Sequence, residues 1–282
     1  MSMSSMFGSD DEEDEEVRLD SNGVMAFHKG TEDAMFIYLE NHGATSTSEC
    51  LDIIDTFANK RHWMMHMGPE KREILQDAVT LIPNWTKKDQ PLLILELGSY
   101  CGYSTSFLAS LLADRDGSTS TRSMIVSVEP EAEAVRWTQR LVGLCGLKDI
   151  SVVLQTVVST LDSSDVHDDF VQKVNGLDFG EKGQKPLFDM VFIDHDKTKY
   201  LTDLRLLLQQ GLLKPGCVVV ADNVHSFDQP LTEYLDFVRS DSRFLRSELR
   251  PARVEYSSVQ QVPASKSGSY FFDAVEISAL CG

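Results

Sequence analysis

Asp194, Lys197 and the pair Asp222-Asn223 are residues of the types and spacing that could hold a cation and move a proton. Asp194 ends the apolar run Phe188–Ile193, and Asp222-Asn223 ends Val218–Ala221. Between them Leu201, Leu204, Leu207 and Leu208 share one helical face, with Gly211 and Pro215 beyond its end, so the segment reads as a crossover helix joining neighbouring parallel strands. Such strands lie ~4.8 Å apart, which brings two carboxylates and an amide oxygen to one sheet edge. That donor set is hard, all-oxygen and partly open, and it suits Mg²⁺ with substrate oxygens or water completing the octahedron. Lys197 is near enough to reach a substrate held there; an ammonium beside a divalent cation is disfavoured, so the lysine can serve as a general base. Taken alone, the same residues equally suit a turn at Asp222-Asn223 and a helix cap at Asp194.

Two further strand ends carry acids, Glu96 after the run Leu92–Leu95 and Glu129 after Met124–Val128. Ligands of open α/β sheets bind beyond the carboxyl ends of the strands, where all four acids converge. Gly98 and Gly102 frame a turn from the first strand into a helix that begins at Ser104, whose N-terminal N–H groups are open to a polar ligand. A dinucleotide loop needs glycine two places after the first, so that the backbone can touch a pyrophosphate, and this chain has Tyr100 there. The aromatic residue argues for a cofactor without phosphates, such as S-adenosylmethionine. Glu129 is placed to accept hydrogen bonds from both ribose hydroxyls, a role common to several nucleoside cofactors.

The elements that must position these residues follow from periodicity. Helical patterns run over Ala34–Leu39, Leu51–Ala58 and Pro69–Ile82, the second opened by Ser46, Thr47 and Ser48 as caps and the third by Pro69 in its first turn. Strands at 92–97, 124–128, 152–154, 188–193 and 218–221 then alternate with helices near 104–113, 131–145, 198–210 and 230–240. The pattern predicts a doubly wound, mostly parallel α/β sheet with helices on both faces. A last pair of strands near Phe244–Glu255 and Tyr270–Ile277, joined by a Ser-rich connection, predicts an antiparallel hairpin and brings the total to seven. The polar connection 159–186 is long, and Asn175–Lys185 reads as an insertion loop.

The 282 residues carry a net charge of −18, without a basic patch, which excludes nucleic acid as the expected partner. Residues 1–20 hold eight acids against Arg18, so 1–25 reads as a disordered acidic tail and 26–282 as one domain, with cap helices at 31–82 and the sheet core at 91–277. No apolar run spans a bilayer and no basic-then-apolar leader is present, so a soluble, cytoplasmic monomer is expected. Cys50, Cys101, Cys145, Cys217 and Cys281 lack paired spacing and read as free thiols.

Five segments resemble the catechol O-methyltransferase family over about Leu51 to Ile277: His62-Trp-Met-Met-His-Met-Gly68, Leu95-Glu-Leu-Gly-Ser-Tyr-Cys-Gly-Tyr-Ser104, Met190-Val-Phe-Ile-Asp-His-Asp-Lys197, Ala221-Asp-Asn-Val224 and Val254-Glu-Tyr256. The resemblance implies S-adenosylmethionine as methyl donor, Mg²⁺, and a vicinal diphenol or related phenol as acceptor. It places metal ligands at Asp194, Asp222 and Asn223, the proton acceptor at Lys197, and a hydrogen-bonding acid for the second hydroxyl at Glu255. Cofactor positions fall on Met65, Met67, Glu96, Gly98, Tyr100, Ser104, Glu129, Val158, Asp194 and His195, and substrate positions on Trp63, Lys197, Asn223, Phe227 and Glu255. Three departures matter: Asp196 stands where the family has a tryptophan wall and Phe227 where it has a gatekeeping proline, both bearing on substrate range, and Val158-Ser159 replaces Ser-Gln beside the adenine of the cofactor. A methyltransferase for another phenolic acceptor, or a weakly catalytic binding module, remains an alternative.

Overall fold

The computed structural model describes residues 30–61, 63–118, 122–156, 164–177, 179, 185–226, 229–253 and 272–282. The acidic segment 1–25, Val158, Ser159, Phe227 and Glu255 lie outside the described residues, as does most of the stretch expected to form an insertion loop.

Strand β1 (Leu93–Leu97) has every residue buried, as a strand covered on both faces requires. It pairs in parallel with β2 (Met124–Glu129) on one side and β4 (Phe188–Ile193) on the other. Beyond β2 lies β3 (Ser151–Gln155), and beyond β4 lies β5 (Leu213–Ala221), both also parallel. The sheet closes with β9 (Phe272–Leu280), antiparallel to β5, and β8 (Phe244–Arg253), antiparallel to β9. The seven strands run in the order β3-β2-β1-β4-β5-β9-β8. Connections leave β1 and β4 in opposite directions, and the loops there part to form the crevice in which sheets of this type bind ligands.

Alternate strand residues face two separate cores, the period-two consequence of the pleat. Ile94, Ile125, Met190, Phe192, Val218 and Val220 pack under α4 (Tyr103–Asp116), α5 (Ala132–Leu144) and the cap helices. Leu95, Val126, Val191, Ile193 and Val219 pack against α6 (Ser164–Asn175), α7 (Tyr200–Gln209) and α8 (Thr232–Ser240).

The cap is built from α1 (Thr31–His42), α2 (Thr47–Lys60) and α3 (Gly68–Val79). Ser46 caps α2, its hydroxyl accepting from the Glu49 amide at 3.2 Å, and Pro69 sits in the first turn of α3. Helix α3 packs on β5, β8 and β9, which brings its buried face against that half of the sheet.

Several elements differ from the sequence expectation, among them α6, which no helical pattern predicts. β5 starts at Leu213 rather than Val218, because a register shift between Phe188 and Met190 absorbs the Pro215-Gly216 turn signal inside the strand. A 3-10 turn, Lys197–Lys199, precedes α7. A short pair, β6 (His225–Ser226) with β7 (Gln229–Pro230), follows the Asp222-Asn223 loop. All five cysteines are free. Among the described residues no helix is long and apolar enough to cross a membrane.

Candidate active site

The loop after β1 is held by charge and by close backbone contact. Glu129, nearly buried at the end of β2, accepts the amides of Ser99 and Tyr100 on Oε2, both at 3.1 Å, and the amide of Glu131 on Oε1 at 3.1 Å. A Cβ on Gly98 would lie 2.4 Å from the Asp194 carbonyl oxygen, so only glycine lets this loop lean on the end of β4. Gly98 (φ 91) and Tyr100 (φ 48) both adopt left-handed backbone; for a tyrosine that conformation is strained and is stored where surroundings over-determine it. The Tyr100 hydroxyl donates to Glu32 of α1 at 2.7 Å, tying the cap to the loop.

Glu96 differs from the other strand-end acids. It is fully buried, and its Oε2 accepts from Thr105 at 2.5 Å and Ser127 at 2.6 Å. Burial raises its carboxyl above the ordinary value, while hydrogen bonds from Ser104, Ser127 and Thr105 oppose the shift. Its observed work is internal, anchoring the first turn of α4 to β2.

At the neighbouring edge, Ile193 pairs with Ala221, so Asp194 and Asp222 leave adjacent strand ends as their spacing predicts. Asn223 adopts φ 52, a left-handed turn for which asparagine is suited. Lys197 Nζ donates to Asn223 Oδ1 at 3.1 Å. Asp222 is buried: its Oδ1 takes the Asn223 amide at 2.6 Å and lies 2.8 Å from Lys71 Nζ. Its Oδ2 is buried with no hydrogen-bond partner among the described residues. Burial comes first among the causes that raise its carboxyl, with the ammonium of Lys71 opposing and the charge of Asp273 adding. An orphaned carboxylate oxygen next to an amide oxygen and a second strand-end acid fits a hard divalent cation. Among the described residues no three His, Cys, Asp or Glu side chains are grouped so as to hold a metal ion, so a cation here would rest on the two strand-end carboxylates and the Asn223 amide oxygen.

His195 Nε2 meets Asp203 Oδ2 at 2.7 Å, and its ring stacks on Tyr200 with centroids 5.3 Å apart. Asp196, in the place of the family's tryptophan, caps the 3-10 turn by accepting from the Thr198 amide at 3.0 Å and hydroxyl at 2.7 Å. Across the crevice, Trp63 and Met67 are buried in the cap core and Met65 is exposed.

Lys71 and Asp273 stand in this site although no motif points to them. The signals available were a lysine on the apolar stripe of α3, in step with Ile74, Leu75 and Ala78, and an acid interrupting the apolar start of β9.

Residues 95–224, from β1 through the Asp222-Asn223 loop, match the family model of a methyltransferase domain. The chain is 34% identical to catechol O-methyltransferase of Bos taurus over 73% of its own length and 64% of that protein, and 33% identical to the Sus scrofa enzyme over 64% of its length and 81% of that protein. It belongs to the catechol O-methyltransferase family. The chain spans less than two thirds of the bovine relative's length. Among solved structures, an O-methyltransferase from Bacillus cereus in complex with SAH superposes with a TM-score of 0.53, at 18% identity over 88% of this chain and 97% of that one, which supports the same fold.

Proposed function

We propose that the protein transfers a methyl group from S-adenosylmethionine to one hydroxyl of a catechol in a magnesium-dependent reaction. The observation that carries this reading is Asp222 Oδ2, buried without a partner one residue from the amide oxygen that Lys197 contacts. Asp194, Asp222 and Asn223 would hold Mg²⁺. When bound, the ion would gather both catechol oxygens and favour ionisation of the attacking one, and S-adenosylmethionine would supply the methyl group.

The chain's own residues do the rest. Lys197 accepts the proton of the attacking hydroxyl. The loop braced by Glu129, with Gly98, Tyr100 and the start of α4 at Ser104, receives the cofactor, and Met65, Met67 and His195 flank it. By family likeness Glu255 holds the second hydroxyl, Trp63 and Phe227 bound the substrate, and Val158 borders the adenine. The domain is the single unit 26–282, acting as a cytoplasmic monomer with no nucleic-acid or membrane partner.

A second reading keeps the chemistry and changes the acceptor: Asp196 is committed to Thr198 where the family presents a tryptophan wall. Incubation with S-adenosylmethionine and catechol, with Mg²⁺ or with EDTA, followed by mass spectrometry, tests the first reading. Methylated product only with Mg²⁺ is expected; product from another phenol and none from catechol supports the second, and product in EDTA overturns both.

A further inference from the structure

Two buried residues that belong to none of the site's motifs surround Asp222 and Asn223 from behind. Lys71 Nζ lies 2.8 Å from Asp222 Oδ1 and 2.6 Å from Asp273 Oδ2, with all three side chains at most 2% exposed. Asp273 Oδ2 also accepts from Asn223 Nδ2 at 2.5 Å, and its Oδ1 accepts the Ala274 amide at 2.8 Å. The cation and the acid arrive from α3 and β9, elements about two hundred residues apart in the chain.

A carboxamide has one donating and one accepting end of nearly the same shape, so sterics alone do not decide which end faces a ligand. Here the decision is chemical. An ionised Asp273 only accepts, and it therefore takes the NH₂ end of Asn223. Oδ1 is left on the opposite side, where Lys197 donates to it at 3.1 Å. Lys71 pairs with Asp273 at 2.6 Å and occupies the same oxygen of Asp222 that takes the Asn223 amide, leaving Oδ2 as the available one.

We propose that Lys71 and Asp273 are a buried positioning pair that presents the oxygen of Asn223 and Oδ2 of Asp222 to a divalent cation and so sets the affinity of the site for metal. Neither touches the cation or the substrate. The proposal rests on the reading of this edge as a metal site.

The full chain is titrated with Mn²⁺, whose preference for carboxylate and carbonyl oxygens matches that of Mg²⁺, and the free ion is counted by electron paramagnetic resonance. Asp273→Asn is expected to weaken Mn²⁺ binding about tenfold or more, the usual cost of removing a group that orients a ligand. Asn223→Asp added to Asp273→Asn restores binding to near the parent value, because a carboxylate offers oxygen at either end and the buried charge is the same as before. Cofactor affinity measured without metal stays unchanged throughout. Where Asp273→Asn does not fold, Lys71→Met with Asp273→Leu removes the pair at constant net charge and carries the same expectation of weaker binding. Unchanged Mn²⁺ affinity in the folded variant, or a charge-swapped double variant as weak as Asp273→Asn, overturns the proposal. If the unsubstituted protein binds no Mn²⁺, the metal reading itself fails and this inference with it.

Discussion

Lys197 Nζ and Asn223 Oδ1 are 3.1 Å apart, so the base of the proposed reaction and a proposed metal ligand share one oxygen. The lysine sits on a 3-10 turn capped by Asp196, three residues after Asp194, and the asparagine on a left-handed turn. Each is therefore placed by backbone geometry rather than by a long flexible loop.

Lys197→Met removes the proton acceptor and leaves the strand ends intact. It should lower kcat by roughly a hundredfold to ten-thousandfold, the range of general acid–base catalysis, with KM for the cofactor little changed. Steady-state rates at saturating catechol check this; Lys197→Arg, which keeps the charge, should fail to restore kcat.

Glu129 contributes through the loop it braces. Glu129→Ala frees the Ser99 and Tyr100 amides and should raise the dissociation constant for S-adenosylmethionine by about tenfold or more, since charge-assisted hydrogen bonds contribute ~1.5–3 kcal/mol each. Calorimetric titration without acceptor reads the change directly.

Gly98→Ala sets a methyl group against the Asp194 carbonyl at 2.4 Å in a left-handed conformation. Stability should fall by ~1–3 kcal/mol, and activity should fall with it because the loop and the end of β4 must separate. Gly43→Ala, also left-handed but with nothing within 4 Å of its added Cβ, should cost less in thermal melts and leave the rate unchanged.

The Glu96 carboxyl is raised by burial above its ordinary 4.5, so the folded protein retains a proton there that the unfolded chain has lost. The contribution to stability is full below the ordinary value and is lost as pH rises through the folded one. Glu96→Gln keeps an acceptor for Thr105 and Ser127 and does not ionise. Its melting temperature, compared with the parent between roughly pH 4.5 and 7, should show a gain that grows with pH. A parallel pair of curves would assign the pH dependence elsewhere.

Most of the sheet was legible because four of the five apolar runs are strands buried on both faces, and the acids that follow them mark the carboxyl ends by position alone. Asp194 and Asp222 were placed at adjacent strand ends by that reasoning, and the pairing of Ile193 with Ala221 agrees. The first half of β5 was missed because Pro215 and Gly216 carry a turn signal that only pairing with β4 overrides. Glu96 was legible as a strand-end acid, but its internal bonds to Thr105 and Ser127 were not, because they come from the packing of α4 on β2. Lys71 and Asp273 could not be linked in advance: their meaning comes from a contact between α3 and β9, and no local period encodes it.

Strand β9 follows β8 in the chain but lies inside it in the sheet, with β8 joined to the rest only through β9. During vectorial synthesis β8 therefore leaves the ribosome with no partner edge. The crossover strands β1 to β5 can assemble first, but Asp273 reaches Lys71 and Asn223 only once residues beyond 272 are free to insert between β5 and β8. The proposed metal edge is thus complete only with β9 in place between β5 and β8, where Asp273 meets Asn223.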